Sequence, residues 1–449
     1  MKIRLNPHTL QRAFVLLLFS LVAGISSVFA QEYTYLQFSG NGRTVLLAKD
    51  GALTVVSTTE DAPAGDGYQW TLEIVSGGNV RLKNKEGMYV TPDLRLTNRQ
   101  NQAATFTKTE NTYSSKDTYG GSRYDLVYGG KALGVKNGQL FWTVEDSRYG
   151  CIRLANNVKG AKVTPFVCSE GGEVHWYYME LLWNGSECVK DAGAGKNLEK
   201  YSTPSAKNLR AYMWSVYEAN DKGDVYFKSA DGNYFYQNGV DQYSASTKPG
   251  NSEYTICDVS DQSNDNAFVL RNIGTGKYVL PYNNSNKVGW TSAFNMIEAM
   301  RFISTPPPTG PHIYQFSANA ATAIYDNGTS VTMQPVGSEV AGYQWTLEQI
   351  GGAYVLKTGR DNYLKQAGEA LTVTTNRDEA LRLFPCGSAY DDRHDGLALA
   401  DDACRAVGVK DGQLAIGEAN SFYSVVRILD STNEVKGAVV PKFSEISNV

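Results

Sequence analysis

The chain has 449 residues, of which 42% are hydrophobic and 20% charged, with 43 glycines, 28 tyrosines and a formal net charge of −4. That length holds two to four domains with sizeable cores, and that composition excludes a disordered chain. An acidic balance without Lys/Arg clusters argues against nucleic acid or an anionic membrane surface as the main partner, because either needs a basic face.

In chain order, residues 1–30 read as a signal peptide. Lys2, Arg4 and Arg12 form a basic start, Ala13 to Ala23 is a mostly apolar run, and Val28-Phe29-Ala30 puts small residues where cleavage before Gln31 is expected. Its loss takes three basic and no acidic residues, moving the net charge from −4 to −7. No later stretch is apolar enough for a membrane span. The expected location is secreted, periplasmic or cell-surface.

The next signal is self-similarity. Tyr68 to Glu73 recurs letter for letter as Tyr343 to Glu348, Gly134 to Leu140 recurs nearly unchanged as Gly408 to Leu414, and Val158 to Ala161 recurs as Val435 to Ala438. Three matches in one order, at offsets of 275, 274 and 277, make the first and last portions copies of one domain. A diverged middle copy carries Tyr212-Met213-Trp214 and Gly232-Asn233-Tyr234. The domains therefore run 31–166, 174–305 and 311–445, with a stiff polyproline linker at Pro306-Pro307-Pro308 and a flexible joint at Gly171-Gly172.

Each domain divides again into three units of about forty residues that read strand, turn, strand, as in Val80-Arg81-Leu82-Lys83 followed by Asn84-Lys85-Glu86-Gly87. Helical periodicity is missing after residue 30. Units this short cannot bury a core singly, so three of them are expected to close one barrel with a hairpin cap. The predicted fold is all-β, three tandem β-trefoil domains after the signal peptide. Trp70, Trp214 and Trp345 hold one position in the first unit of each domain, with Leu72, Val216 and Leu347 two residues on, and read as core.

The Gly-x-Tyr elements (Gly87-Met88-Tyr89, Gly232-Asn233-Tyr234, Gly276-Lys277-Tyr278) and the tryptophan closing the first unit resemble the ricin-type (ricin B-like) lectin repeat over nearly all of the chain after residue 30. The family usually has Gln two residues before that tryptophan, and here the position is Tyr68, Tyr212 and Tyr343. Trefoil repeats can lose sugar binding and keep the fold, so the likeness implies more about fold than function. It implies a sugar site made of an acid that accepts from two hydroxyls, a ring that stacks on the sugar and a nearby amide. Asp191, Tyr201 and Asn208 supply these in order; the alternative is a solvated loop acid and a packing ring. Asp50 and Asp326 stand in places similar to Asp191, but without such a ring. Trp142 and Trp290, in the third units of the first two domains, read either as exposed stacking rings or as core, and the third domain has Ile416 there.

Six cysteines follow residue 30, and Cys386 with Cys404 is the expected disulfide; buried free thiols are the alternative. The absence of a Cys-x-x-C pair weakens zinc and redox readings. The only histidines after residue 30 are His175, His312 and His394, and the sequence has no nucleophile elbow, phosphate loop or dinucleotide fingerprint. Asp391 to Asp395 reads as a calcium loop or a solvated one. No catalysis, metal or cofactor is expected. The expected function is carbohydrate binding, with glycans or glycoproteins as partners. The alternatives are a surface or matrix protein that binds other proteins, its sugar sites lost, and a trefoil protease inhibitor.

Overall fold

The computed structural model describes residues 33–38, 43–58, 60–113, 122–158, 166–182, 187–201, 204, 206–238, 240–248, 250–258, 268–282, 285–292, 300–303, 310–316, 322–388, 397–419 and 421–429. The expected signal peptide, the prolines at 306–308 and the Asp391–Asp395 run lie outside them.

Within these residues the regular structure is strands and short 3₁₀ turns. The strands form because apolar residues alternate with polar ones at the period of a pleated sheet. Along Val80–Asn84, residues Val80, Leu82 and Asn84 are buried while Arg81 and Lys83 face outward; Val225–Ser229 repeats the pattern with Val225, Phe227 and Ser229 inside. Turns fall where the backbone must be left-handed. Asn137-Gly138 and Asp411-Gly412, at matching places in the repeat, both have positive φ (50° and 73°; 51° and 74°). Asn, Asp and Gly tolerate that geometry, and it suits a two-residue hairpin.

Among the described residues, twelve strands lie in each of three successive blocks. In the middle block, Trp176–Leu181, Met213–Glu218, Val225–Ser229, Tyr254–Asp258, Phe268–Asn272 and Met300–Ile303 pair in that order, and the last returns to the first through Tyr178↔Ile303 to Leu181↔Met300. The other six strands form three hairpins, such as Glu187–Lys190 with Glu199–Tyr201. A closed six-stranded barrel with three hairpins is the β-trefoil arrangement. The outer blocks close the same way, Tyr35–Phe38 onto Ile152–Ala155 and His312–Phe316 onto Val426–Leu429. Their other joints are ladders, such as Gln344–Ile350 with Ala353–Thr358, or isolated bridges, such as Thr34↔Trp70 and Tyr354↔Leu383. Closure leaves the barrel strands no open edge.

One tryptophan anchors each barrel. Trp70, Trp214 and Trp345 are 0% exposed, and each indole Nε1 donates to a carbonyl of the preceding strand pair: Leu46 at 3.2 Å, Val189 at 3.0 Å and Ile324 at 3.1 Å. Each ring belongs to its own apolar cluster, with Leu36 and Phe38 in the first barrel, Phe227 and Phe235 in the second, and Leu347 and Leu356 in the third.

The junctions differ in chemistry. The second and third barrels share an apolar layer in which Tyr178, Met213 and Leu209 meet Phe384, Cys386 and Ala398. The approach is close enough that a Cβ on Gly352 would overlap the Trp176 carbonyl. The first and second barrels meet through polar groups instead. Arg148 N donates to Lys222 O at 2.9 Å, Tyr113 Oη donates to Gly223 O at 3.2 Å, and Lys222 pairs with Asp146 at 3.5 Å.

The expected Cys386–Cys404 disulfide is not formed. Cys386 faces the apolar layer between the second and third barrels, where its thiol donates to Ala398 O at 3.7 Å and burial pushes its pKa up to about 12. Cys404 sits in a tight left-handed turn at φ 62°.

Trp214→Ala should remove both the ring volume and its carbonyl bond, costing about 3–5 kcal/mol. Urea unfolding followed by far-UV circular dichroism should show a transition moved to much lower denaturant, and a loss under about 1 kcal/mol would contradict the anchoring role.

Candidate functional site

Asp191 is not a surface acid. It is 4% exposed, and its carboxylate is filled from within the barrel. Oδ2 accepts from Ser229 Oγ at 2.6 Å and Asn233 Nδ2 at 2.8 Å, and Oδ1 accepts from Gly193 N at 2.8 Å. Asp326 repeats the arrangement, accepting from Thr358 Oγ1 at 2.8 Å, Asn362 Nδ2 at 2.9 Å and Gly328 N at 2.7 Å. These are polar locks, each tying the first hairpin of its barrel to the turn at Gly232-Asn233-Tyr234 or Asp361-Asn362-Tyr363. Each carboxylate therefore faces donors of its own barrel rather than solvent.

The indole bonds fix the register between barrels, and they correct the place of Asp50. Each acceptor carbonyl lies two residues before the lock position, which is Asp191, Asp326 and, in the first barrel, Ala48. Asp50 is exposed, in a hairpin turn at φ 53°. With no acid at Ala48, the first barrel uses Asn84 and Met88 where the others use Ser229/Asn233 and Thr358/Asn362, and Asn84 Oδ1 caps Met88 N at 2.7 Å.

Tyr201 is at the surface, 38% exposed, on the strand beside Cys188. Its hydroxyl donates to Glu199 Oε2 at 3.1 Å and accepts from Asn286 Nδ2 at 3.1 Å, while the Lys190 ammonium lies 5.2 Å from its ring. Bonding to Lys190 and Tyr201 holds the Glu199 carboxyl below its usual pKa. The groups around Tyr201 are thus Glu199 and Asn286, not Asp191 and Asn208. Asn208 is exposed on the 3₁₀ turn Ala206–Tyr212. Trp290 is half-buried, with Lys277 Nζ 3.3 Å from the ring centroid, on one face of the indole.

Trp142 stands differently. Its ring packs on Phe106 and Tyr128 at centroid distances of 6.3 and 5.7 Å, and Nε1 donates to Pro92 O at 3.1 Å. It also lines an open cavity of about 520 Å³ where the first barrel meets the second. The first barrel supplies Phe141, Trp142, Tyr149, Lys131 and Lys136, and the second supplies Glu218, Asn220 and Asp221. Lys136 reaches across to Glu218 Oε2 at 2.6 Å, and Tyr149 Oη donates to Glu218 Oε1 at 2.9 Å. Burial, the largest single influence, would lower the Lys136 pKa, but the Glu218 bond together with the charges of Tyr149, Glu218 and Glu170 raises it on balance; burial raises that of Tyr149. At neutral pH Lys136 is therefore charged and Tyr149 is a neutral donor, as the strut requires. Asn220 is spent on its own turn, accepting from Lys222 N and donating to Asp224.

The sequence singled out Trp142 as a ring, exposed or core, but not its neighbours in the cavity wall, because Lys136 and Glu218 are 82 residues apart and meet only when two barrels dock. The repeat held one clue. The third barrel keeps Lys410 at the place of Lys136 but has Ile416 at that of Trp142.

No family model and no curated protein matches the chain. Among solved structures, a mosquitocidal holotoxin aligns at 13% identity and a TM-score of 0.33, over 90% of this chain and 52% of its own. This chain therefore spans about half the holotoxin's length. SeviL, solved bound to the asialo-GM1 saccharide, aligns at 13% identity and a TM-score of 0.25, over 30% of this chain and 99% of its own. The agglutinin from Abrus precatorius aligns at 11% identity and a TM-score of 0.23, over 58% and 98%. Likeness at these values decides nothing about function.

Asp191→Asn should destabilise the second barrel, because an amide cannot accept from all three donors. The expected loss is about 1.5–3 kcal/mol, read as a lower melting temperature. An unchanged melting temperature would show that the carboxylate is not a lock.

Proposed function

We propose that this is an exported, non-catalytic, carbohydrate-binding protein. The observation that carries the reading is the cavity between the first two barrels, where three rings of one barrel face a carboxylate of the other. Sugars combine an apolar ring face with hydroxyls that both donate and accept, and a site of rings beside charged acceptors and donors serves both.

A binding role fits the cavity better than a catalytic one. Two carboxylates, Glu218 and Asp221, do line it, and glycoside hydrolysis uses two. Glu218, however, accepts from Lys136 and Tyr149 on its two oxygens, so both are already engaged within the wall.

The test is retention and turnover measured together. Purified protein lacking residues 1–30 should be retained on one or more members of a printed glycan array, and those glycans should stay intact on prolonged incubation. Retention on none would remove the carbohydrate reading; released sugar, abolished by Glu218→Gln or Asp221→Asn, would make the protein an enzyme.

A further inference from the structure

We infer that the cavity is a composite site for an oligosaccharide, in which Trp142 of the first barrel carries the sugar's apolar face and Asp221 of the second accepts its hydroxyls. The inference rests on the carbohydrate-binding reading and goes beyond it in naming the groups, the ligand's size and the need for both barrels.

The assignment follows from which groups are already spent. Glu218 is held by Lys136 and Tyr149, Asn220 by its turn, and Thr143 Oγ1 lies 3.3 Å from Ser147 Oγ. Among the described residues of the lining, two charged groups make no hydrogen bond or ion pair of their own, Asp221 and Lys131, and both are exposed. One is a carboxylate that can accept from two neighbouring hydroxyls; the other is an ammonium that can donate to a hydroxyl or ring oxygen. They come from opposite barrels.

Size sets the ligand class. A cavity of about 520 Å³ falls within the roughly 300–1,000 Å³ of sites that enclose drug-sized ligands, which is more than a single sugar ring fills. An oligosaccharide would lay one residue on Trp142 and reach Asp221 with the next. Glu218 acts here as a positioning residue, since its bonds to Lys136 and Tyr149 hold the wall bearing Asp221 against the wall bearing Trp142.

The test uses the whole protein, a printed array of mono- to hexasaccharides and titration calorimetry with the best-retained member and its constituent monosaccharide. The oligosaccharide should bind at least about tenfold more tightly than the monosaccharide, and Trp142→Ala and Asp221→Asn should each weaken it by about tenfold or more. Asp221 is exposed, so Asp221→Asn should stay folded even if removing the Trp142 ring loosens the first barrel. Equal affinity for the monosaccharide, or affinity within about twofold of the parent in folded Asp221→Asn, would overturn the composite site while leaving carbohydrate binding in place. Absence of array binding by the parent protein would overturn both.

Discussion

Everything in this molecule depends on how a forty-residue β unit that cannot bury its own apolar face is made to close with two others. The closing contact is the buried indole of Trp70, Trp214 or Trp345, which fills the barrel centre and gives its single N–H to a carbonyl of the preceding strand pair. An indole left without that partner would carry an unpaired donor into an apolar core, so ring and carbonyl fix each other's place. First and last strands then pair, as Tyr35–Phe38 does with Ile152–Ala155, and the edges disappear. With the frame closed in this way, the hairpins and turns are free to differ between barrels.

Those differences are where function can reside. Two barrels invest an aspartate in the frame, Asp191 with Ser229 and Asn233, and Asp326 with Thr358 and Asn362. The first barrel has Ala48 at that position and carries instead the ring-lined wall of Phe141 and Trp142. The junctions diverge in the same sense. An apolar layer around Tyr178 and Phe384 joins the second barrel to the third, whereas charged and hydroxyl groups join the first to the second and leave a cavity between them. Apolar layers exclude water and pack shut; polar junctions need not, and their charges remain able to meet a ligand.

Much of the frame could be read from the sequence, and little of the site. The letter-for-letter return of Tyr68 to Glu73 at Tyr343 to Glu348 marked the repeat, and alternation such as Val80-Arg81-Leu82 marked the strands, because both are local patterns. The burial of Trp70, Trp214 and Trp345 followed from their apolar neighbours two residues on. Asp191 misled because an acid in a turn reads as solvated, and what buries it are Ser229 and Asn233, 38 and 42 residues later. Asp50 misled by a two-residue slip that only the indole bond to Leu46 exposes. Cys386 and Cys404 lie within one domain, but the environment of Cys386 is set by the second barrel packing on it, which spacing does not contain. The cavity is beyond local reading for the same reason: its walls belong to different barrels.

The most direct measurement of the central claim is a crystal structure of the protein with an array-selected oligosaccharide bound. The account predicts sugar density in the cavity between the first and second barrels, one ring against Trp142 and hydroxyls within hydrogen-bond distance of Asp221. Density confined to another surface, such as that around Tyr201, Glu199 and Asn286, with the cavity empty, would contradict it.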